Sequence, residues 1–148
     1  MGLVTPYLDD VQAAIVKNYK AIGIGIGMER HLNIQKNNDI AIIDEGVLDG
    51  LVDEVVAGKV DAVTTFCTNF TAAQKVELWE QKHGLPVFDT VTTVIWDMLR
   101  LCDIDTRAVE GWSMMFKKGD FYLSLVLKSD LRIYIPCGFR SISVFRLI

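Results

Sequence analysis

The segment TTFCTNF (residues 64–70) contains the residue with the clearest chemical potential, Cys67. This cysteine ends the apolar, β-branched run VDAVTTF, and Thr68 and Asn69 follow directly. At a point where a strand gives way to a helix, backbone N–H groups favour the thiolate form of a cysteine. A thiolate suits nucleophilic attack or proton transfer at a carbon next to a carboxylate. Free cysteines are usually buried packing residues, so the segment alone leaves both interpretations open.

Other residues could contribute to a site around this thiol. Asn69 offers an amide donor to a carboxylate, and either Thr68 or Asn69 can cap the predicted helix that follows. Tyr7 follows Pro6 at the end of the first predicted strand, where it is either a half-buried aromatic residue or a site residue. His31, in MERHLN, follows the second predicted strand, although a surface loop is the usual setting of such a histidine.

The glycines of GIGIGM (residues 23–28) invite comparison with nucleotide-binding loops. A dinucleotide-binding loop reads GxGxxG and leads into a helix whose N-terminus meets the pyrophosphate. Here the third glycine is displaced by one position, and no good helix pattern follows directly. We therefore prefer close packing of a strand against a helix as the use of these glycines, and we predict no nucleotide cofactor.

The three cysteines, Cys67, Cys102 and Cys137, are spread evenly along the chain. Their odd number rules out a complete disulfide framework, and their spacing does not match a metal site. Cys102 lies on the apolar stripe of a predicted helix, so we expect it in the core. We predict free thiols in a reducing cytoplasm and no bound metal.

Composition limits the classes of partner. The 148 residues are most simply one domain, and the net charge of −4 argues against nucleic-acid or anionic-membrane partners. No apolar run approaches the roughly 18 residues that span a bilayer, and the acidic start MGLVTPYLDD is unlike a signal peptide. We therefore expect a cytoplasmic protein that binds neither nucleic acid nor membrane.

The chain alternates between strand-like and helix-like periodicity. The predicted strands are GLVTP, AIGIGIGM, VDAVTTF and LPVF. The first predicted helix follows Tyr7, and the second runs from a cap at Asn37 or Asn38 to Gly58. Two more helices follow the last two strands, and the apolar stripe of the final one ends at Cys102.

This βαβαβαβα order over residues 1–102 predicts an α/β fold in which helices cover both faces of a parallel sheet. In such sheets ligands bind beyond the carboxyl ends of the strands. Three segments are predicted to lie there: Thr5–Tyr7, Gly27–Asn33 and Cys67–Asn69.

The last part of the chain has a different character. Residues 119–148 are apolar and basic, alternate as a strand does, and have no helical stripe. We therefore predict an α/β domain over residues 1–118 and an atypical tail over residues 119–148.

Five segments within about residues 2–116 carry a family resemblance: LVTPY, IGIGMERHLNI, VDAVTTFCTNF, HGLPVFDTVTTVIWDMLRL and EGWSMMF. Each is similar, in the same order, to the second half of enzymes of the aspartate/glutamate racemase superfamily. The match is to the branch of maleate cis-trans isomerases and arylmalonate decarboxylases. The resemblance implies a flavodoxin-like three-layer α/β/α domain that is one half of a pseudo-symmetric, cofactor-independent enzyme.

The resemblance also implies roles for individual residues. Cys67 corresponds to the second-half cysteine, which acts as acid/base or nucleophile. Tyr7 corresponds to a tyrosine that binds a substrate carboxylate. The backbone N–H groups of Thr68 and Asn69 would hold carboxylate or enediolate oxygens.

The loop after the second strand departs from the family pattern. The family's asparagine aligns with His31, and Asn33 stands two residues further on. Both residues are therefore carried over as candidate substrate-binding residues. Val91 replaces a residue that tends to be polar in maleate isomerases, which favours racemase-like relatives.

The first half of these enzymes has no counterpart in the sequence. We expect a cofactor-independent isomerase or racemase of small carboxylic acids, completed by a missing N-terminal half or by self-association. One alternative is an arylmalonate-type decarboxylase, for which a single cysteine suffices. Another is a catalytically silent domain that binds a partner or a small acid.

Overall fold

A computed structural model of the protein describes residues 1–118. Four parallel strands form one sheet in the order β2-β1-β3-β4. The strands are β1 (Gly2–Thr5), β2 (Met28–His31), β3 (Val63–Thr65) and β4 (Val87–Asp89). Each strand is followed by helical structure, as the alternation of periodicities predicts.

Six α-helices accompany the sheet within the described residues. They are α1 (Asp9–Ala21), α2 (Asn37–Ala41), α3 (Glu45–Ala57), α4 (Val76–His83), α5 (Thr90–Leu101) and α6 (Met114–Lys118). A short 3₁₀ helix (Ala73–Lys75) leads into α4. Gly84 ends α4 in the left-handed conformation, with φ of 69°, which a residue without a Cβ adopts at little cost.

One face of the sheet carries the main apolar core. Val4, Val63 and Val87 point to this face from three strands, and they pack against buried residues of α3 and α4. Those helix residues, all at most 2% exposed, are Leu48, Val52 and Val55 of α3 and Val76 and Trp79 of α4. Helix α3 lies very close to β1, because a Cβ at Gly2 would clash with the side chain of Val55.

Helices α1 and α5 cover the opposite face. Phe88, which alternates with Val87, packs against a small cluster of Trp96, Met115 and Phe116. Toward the opposite edge of the sheet, at β1 and β2, the same face is covered by α1, whose buried residue is Gln12. The three-layer α/β/α arrangement predicted from the sequence is therefore confirmed.

The strand predicted at AIGIGIGM is displaced. The glycine segment is not a strand; β2 begins at Met28 and lies at the edge of the sheet. A Cβ at Gly25 would meet no atom within 4 Å, and Gly27 has only ordinary contacts, so close packing does not explain these glycines. Gly23 instead adopts a φ of 84° in the turn after α1. A strand follows the glycines, so no helix N-terminus is presented there.

The single helix predicted from Asn37 or Asn38 to Gly58 is two helices. Helix α2 ends at Ala41, and the Asp44 side chain begins α3 by accepting a hydrogen bond from Gly46 N–H at 2.8 Å. The predicted asparagine caps are wrong, because α2 begins after Lys36 without a side-chain cap. Apolar residues stand on both sides of the break between α2 and α3, so the helical periodicity does not reveal it. The signal for the break is Asp44, a residue type that favours the N-cap position of a helix.

The prediction that Cys102 lies in the core is wrong. Cys102 is exposed and follows the last residue of α5. The outer part of the α5 stripe is also accessible, since Met98 is 60% exposed. The apolar periodicity correctly indicates that these residues share one side of the helix, but α5 buries only Trp96 and Thr92.

Within residues 1–118, the structure contains no helix long and apolar enough to cross a membrane. Cys137 and the predicted tail of residues 119–148 lie outside the described residues. The boundary between the two predicted regions stays a prediction.

Candidate active site

The carboxyl ends of β1 and β3 bring Tyr7 and Cys67 together. Tyr7 is half-buried and packs against the core cluster that includes Cys67. Its ring also makes an edge contact with Phe66, with centroids 6.5 Å apart. Burial, and then the neighbouring Cys67 side chain, raise the pKa of Tyr7 to about 12. The tyrosine hydroxyl therefore stays protonated near neutral pH and can donate a hydrogen bond beside the thiol.

Cys67 is a buried residue with a polar edge. It is only 6% exposed, and its Sγ accepts a hydrogen bond from Asn69 N–H at 3.4 Å. The Cys67 carbonyl accepts from Phe70 N–H, also at 3.4 Å, so residues 67–70 form a tight turn. The sulfur is therefore packed in the core and also hydrogen-bonded by a backbone donor, and the catalytic role of Cys67 stays a prediction.

The helix expected directly after Cys67 begins later. The 3₁₀ helix starts at Ala73, and its cap residue Ala72 makes no side-chain cap. The prediction that Thr68 or Asn69 caps this helix is therefore wrong. Thr68 is exposed, and the Asn69 side-chain amide donates to the carbonyl of Asn37 at 3.5 Å. Asn69 thus ties the turn to α2 across the edge of the site.

His31 lies at the same end of the sheet but is engaged away from the thiol. Its Nδ1 is 2.9 Å from Glu29 Oε2, and its Nε2 is 2.8 Å from Asp9 Oδ1. Hydrogen bonds to Asp9 and then to Glu29 raise the pKa of His31. The imidazole is therefore bound on both sides by carboxylates.

The Asn33 side chain is hydrogen-bonded to Asp9, the first residue of α1. Its Oδ1 accepts from Asp9 N–H at 3.1 Å, and its Nδ2 donates to Asp9 Oδ1 at 3.1 Å. Asn33 adopts a φ of 55°, a left-handed conformation that asparagine tolerates better than most residues. Its side chain supplies a hydrogen-bond acceptor to the first turn of α1, where Leu8 provides no side-chain cap.

The sequence interpretation missed a set of polar residues beneath this edge. Thr5 Oγ1 donates to Gln12 Oε1 at 2.6 Å, and Gln12 Nε2 donates to Glu29 Oε2 at 2.6 Å. A signal was present, because Gln12 lies four residues after Leu8 and three before Ile15, on the inward face of α1. A polar residue at an inward helical position requires a partner, and the polar residues of β1 and β2 supply it.

Asp89, at the end of β4, is a buried carboxylate with a structural role. It caps α5 by accepting hydrogen bonds from Val91 N–H at 2.8 Å and Thr92 N–H at 3.0 Å. Thr65 Oγ1 donates to its other oxygen at 3.2 Å. Burial raises the pKa of Asp89 even though these donors favour its ionised form. Within residues 1–118 no group of three or more His, Cys, Asp or Glu side chains could hold a metal ion.

The sequence of the described domain matches a known family. The sequence model of the arylmalonate decarboxylase family matches residues 1–116. The chain belongs to this family. The resemblance drawn from the five segments is confirmed at this level.

Maleate isomerases are among the relatives. The maleate isomerase of Nocardia farcinica (strain IFM 10152) is 26% identical over 119 residues, which are 80% of this chain and 47% of that protein. The chain thus spans about half the length of the curated relative it matches.

Solved structures extend the likeness to the fold. One is a Cys-to-Ser variant of Nocardia farcinica maleate cis-trans isomerase with a covalently bound succinylcysteine intermediate. The match has a TM-score of 0.75 and a sequence identity of 24%. It covers 80% of this chain and 48% of the isomerase chain. Another is a Cys-to-Ala variant of the maleate isomerase Iso from Pseudomonas putida S16 with maleate. This match has a TM-score of 0.73 and a sequence identity of 26%. It covers 78% of this chain and 46% of the Iso chain.

Proposed function

We propose that this chain provides one half of a cofactor-independent isomerase of small carboxylic acids, with Cys67 as its reactive thiol. The observation that carries the proposal is the position of Cys67 at the carboxyl end of β3, with Tyr7 beside it and Asn69 N–H on its sulfur. A related maleate isomerase carries a succinylcysteine, which is the product of adding a cysteine thiol across the double bond of maleate.

The chemistry follows from that adduct. The Cys67 thiolate attacks one carbon of the maleate double bond, and the electron pair moves toward the carboxylate on the other carbon as an enediolate. The former double bond is now single and can rotate. Re-forming the double bond expels the thiolate and leaves the trans acid. A racemase would use the same thiol as the acid/base on the carbon next to the carboxylate.

The remaining candidates divide by what their side chains contact. Tyr7, as a protonated hydroxyl, and the backbone N–H groups of Thr68 and Asn69 are proposed to hold the substrate carboxylate or enediolate oxygens. Substrate contact by His31 and Asn33 stays a prediction from the resemblance, since both side chains are bound to Asp9.

The site requires a second half. The chain spans about half of its relatives, so loops from another segment would be needed to enclose a substrate. We propose that an N-terminal half or a second copy of this chain supplies them. A cytoplasmic location stays a prediction of the sequence.

The test is to trap the adduct. The protein is incubated with maleate, and the peptide that contains Cys67 is examined by mass spectrometry for the mass of one added maleic acid. We expect the adduct on Cys67 and none on Cys102, an exposed thiol that serves as the internal control. Cys67→Ser should abolish it, whereas Cys102→Ser should not. Equal modification of both thiols would indicate unspecific alkylation and would contradict the proposal.

Decarboxylation of an arylmalonate-type acid is the second candidate, because the matching family model is that of arylmalonate decarboxylase. There Cys67 would protonate the carbanion left by loss of carbon dioxide. Release of carbon dioxide from an arylmalonate, dependent on Cys67, would favour this function over isomerisation. If neither reaction occurs and no acid protects Cys67 from alkylation, the chain is a silent domain.

A further inference from the structure

The segment that carries Tyr7 is tied down on both sides. On the strand side, Thr5 Oγ1 accepts from Tyr7 N–H at 3.4 Å and donates to Gln12 Oε1 at 2.6 Å. On the helix side, Asp9 N–H donates to Asn33 Oδ1 at 3.1 Å. Tyr7 lies midway between these two attachments, two residues from each.

His31 joins the two attachments. Its Nδ1 lies 2.9 Å from Glu29 Oε2, the oxygen that also accepts from Gln12 Nε2 at 2.6 Å. Its Nε2 lies 2.8 Å from Asp9 Oδ1, the oxygen that also accepts from Asn33 Nδ2 at 3.1 Å. An unbroken chain of hydrogen bonds therefore runs from the backbone of Tyr7, through the imidazole, to the start of α1.

The chemistry of the ring decides which form completes this chain. Both neighbours are carboxyl groups, and an ionised carboxylate can accept hydrogen bonds but cannot donate them. A neutral imidazole has a single N–H and can donate to one of them, whereas an imidazolium donates to both. The network is complete only when His31 is a cation.

We propose that His31, as a cation bridging Asp9 and Glu29, is a positioning residue that fixes Tyr7 beside Cys67. The inference rests on the proposed site, and it assigns His31 a role through Tyr7 and not through contact with substrate. It also makes the order of the Tyr7 segment depend on pH.

The surroundings of the ring give the direction of that dependence. Among residues 1–118, Asp9 on α1 and Glu29 on β2 are the charged groups that face His31, whereas Arg30 pairs with Glu54. The hydrogen bond to Asp9, and then that to Glu29, raise the pKa of His31 above its ordinary value of 6.5. The complete network is therefore present at lower pH and is lost as pH rises through the raised pKa.

The first test uses the unaltered protein. The His31 ring and the Tyr7 backbone amide are followed by two-dimensional NMR from about pH 5 to about pH 8, where histidine titrates. We expect the two signals to shift with one common midpoint, above 6.5. Tyr7 itself does not titrate in this range, because its own pKa is about 12. A Tyr7 amide that does not move with the ring would overturn the proposal.

Two variants and a matched control sharpen the result. Asp9→Asn should lower the His31 midpoint and the Tyr7 midpoint together, because it removes one of the two carboxylates. His31→Gln should remove the Tyr7 transition. His83→Gln changes the only other histidine of the chain, at the end of α4, and should leave the Tyr7 transition intact.

A final measurement separates positioning from substrate binding. Maleate is titrated into the parent protein and His31→Gln, with the Tyr7 amide as one signal. If His31→Gln weakens maleate binding while the Tyr7 amide keeps its parental position and pH transition, His31 is a ligand and the proposal fails. If the protein binds no carboxylate at all, the function proposed above fails, whereas the shared midpoint of His31 and Tyr7 still tests the positioning role.

Discussion

Apolar packing closes the face of the sheet under α3 and α4, whereas the part of the opposite face under α1 is held by hydrogen bonds. The face under α3 and α4 is closed by apolar side chains that interlock at nearly zero exposure, among them Leu48, Val52 and Trp79. The face under α1 buries a single residue of that helix, Gln12, and attaches it by hydrogen bonds. The hydrophobic effect is non-directional, whereas hydrogen bonds fix distance and orientation. The surface under α3 and α4, the apolar face, therefore stabilises the fold, and the surface under α1, the polar face, orients the segment that carries Tyr7.

The largest expected effect comes from the apolar face. Leu48→Ala should lower the free energy of unfolding by about 2–5 kcal/mol, because it removes buried methyl groups and leaves a cavity. Val47→Ala, one residue away and 45% exposed, should change it by less than about 0.5 kcal/mol. Urea unfolding of both variants measures the difference. Similar losses for the two variants would contradict the burial assigned to α3.

A smaller effect is expected from the polar face. Gln12→Leu keeps a side chain of similar size but removes the partner of Thr5 and Glu29, which should cost roughly 1–3 kcal/mol for the buried groups left unpaired. Gln81→Leu, at an exposed position of α4, is the control and should be nearly neutral. Urea unfolding again measures stability. A neutral Gln12→Leu would mean that the polar network contributes nothing, and the distinction between the faces would fail.

Much of the apolar face could be predicted from the sequence, because burial follows periodicity. The stripe of α4 and the strand after Lys59 appear where the pattern requires them. In α3 the apolar pattern indicates a face through Val47 and Leu51, but the helix buries Leu48, Val52 and Val55 and leaves Val47 45% exposed. The same reasoning failed at Cys102, since α5 is covered by few partners and its outer apolar positions remain exposed. Periodicity defines a side of a helix, but it does not reveal how much of that side is covered.

The candidate site was only partly predictable. Cys67 could be located because it ends a β-branched run, and Tyr7 because it follows the first strand. The partners of His31 could not be predicted. Asp9 lies 22 residues away in sequence and contacts the ring only because β1 and β2 are paired. Contacts of this kind depend on strand order, which local patterns do not specify.

The smallest effect expected is a pH dependence of stability from His31. Its pKa is raised in the folded protein by Asp9 and Glu29, so folding binds a proton that the unfolded chain holds less tightly. This contribution to stability is fully present below the unfolded value of about 6.5 and disappears as pH rises through the folded pKa. Urea unfolding of the parent protein and His31→Gln should therefore differ at low pH and converge at high pH. His83→Gln should not reproduce this convergence. A difference between parent and His31→Gln that is constant with pH would mean that the ring acts by packing alone. In that case the polar face would orient Tyr7 through Gln12 and Asn33 without an ionic bridge.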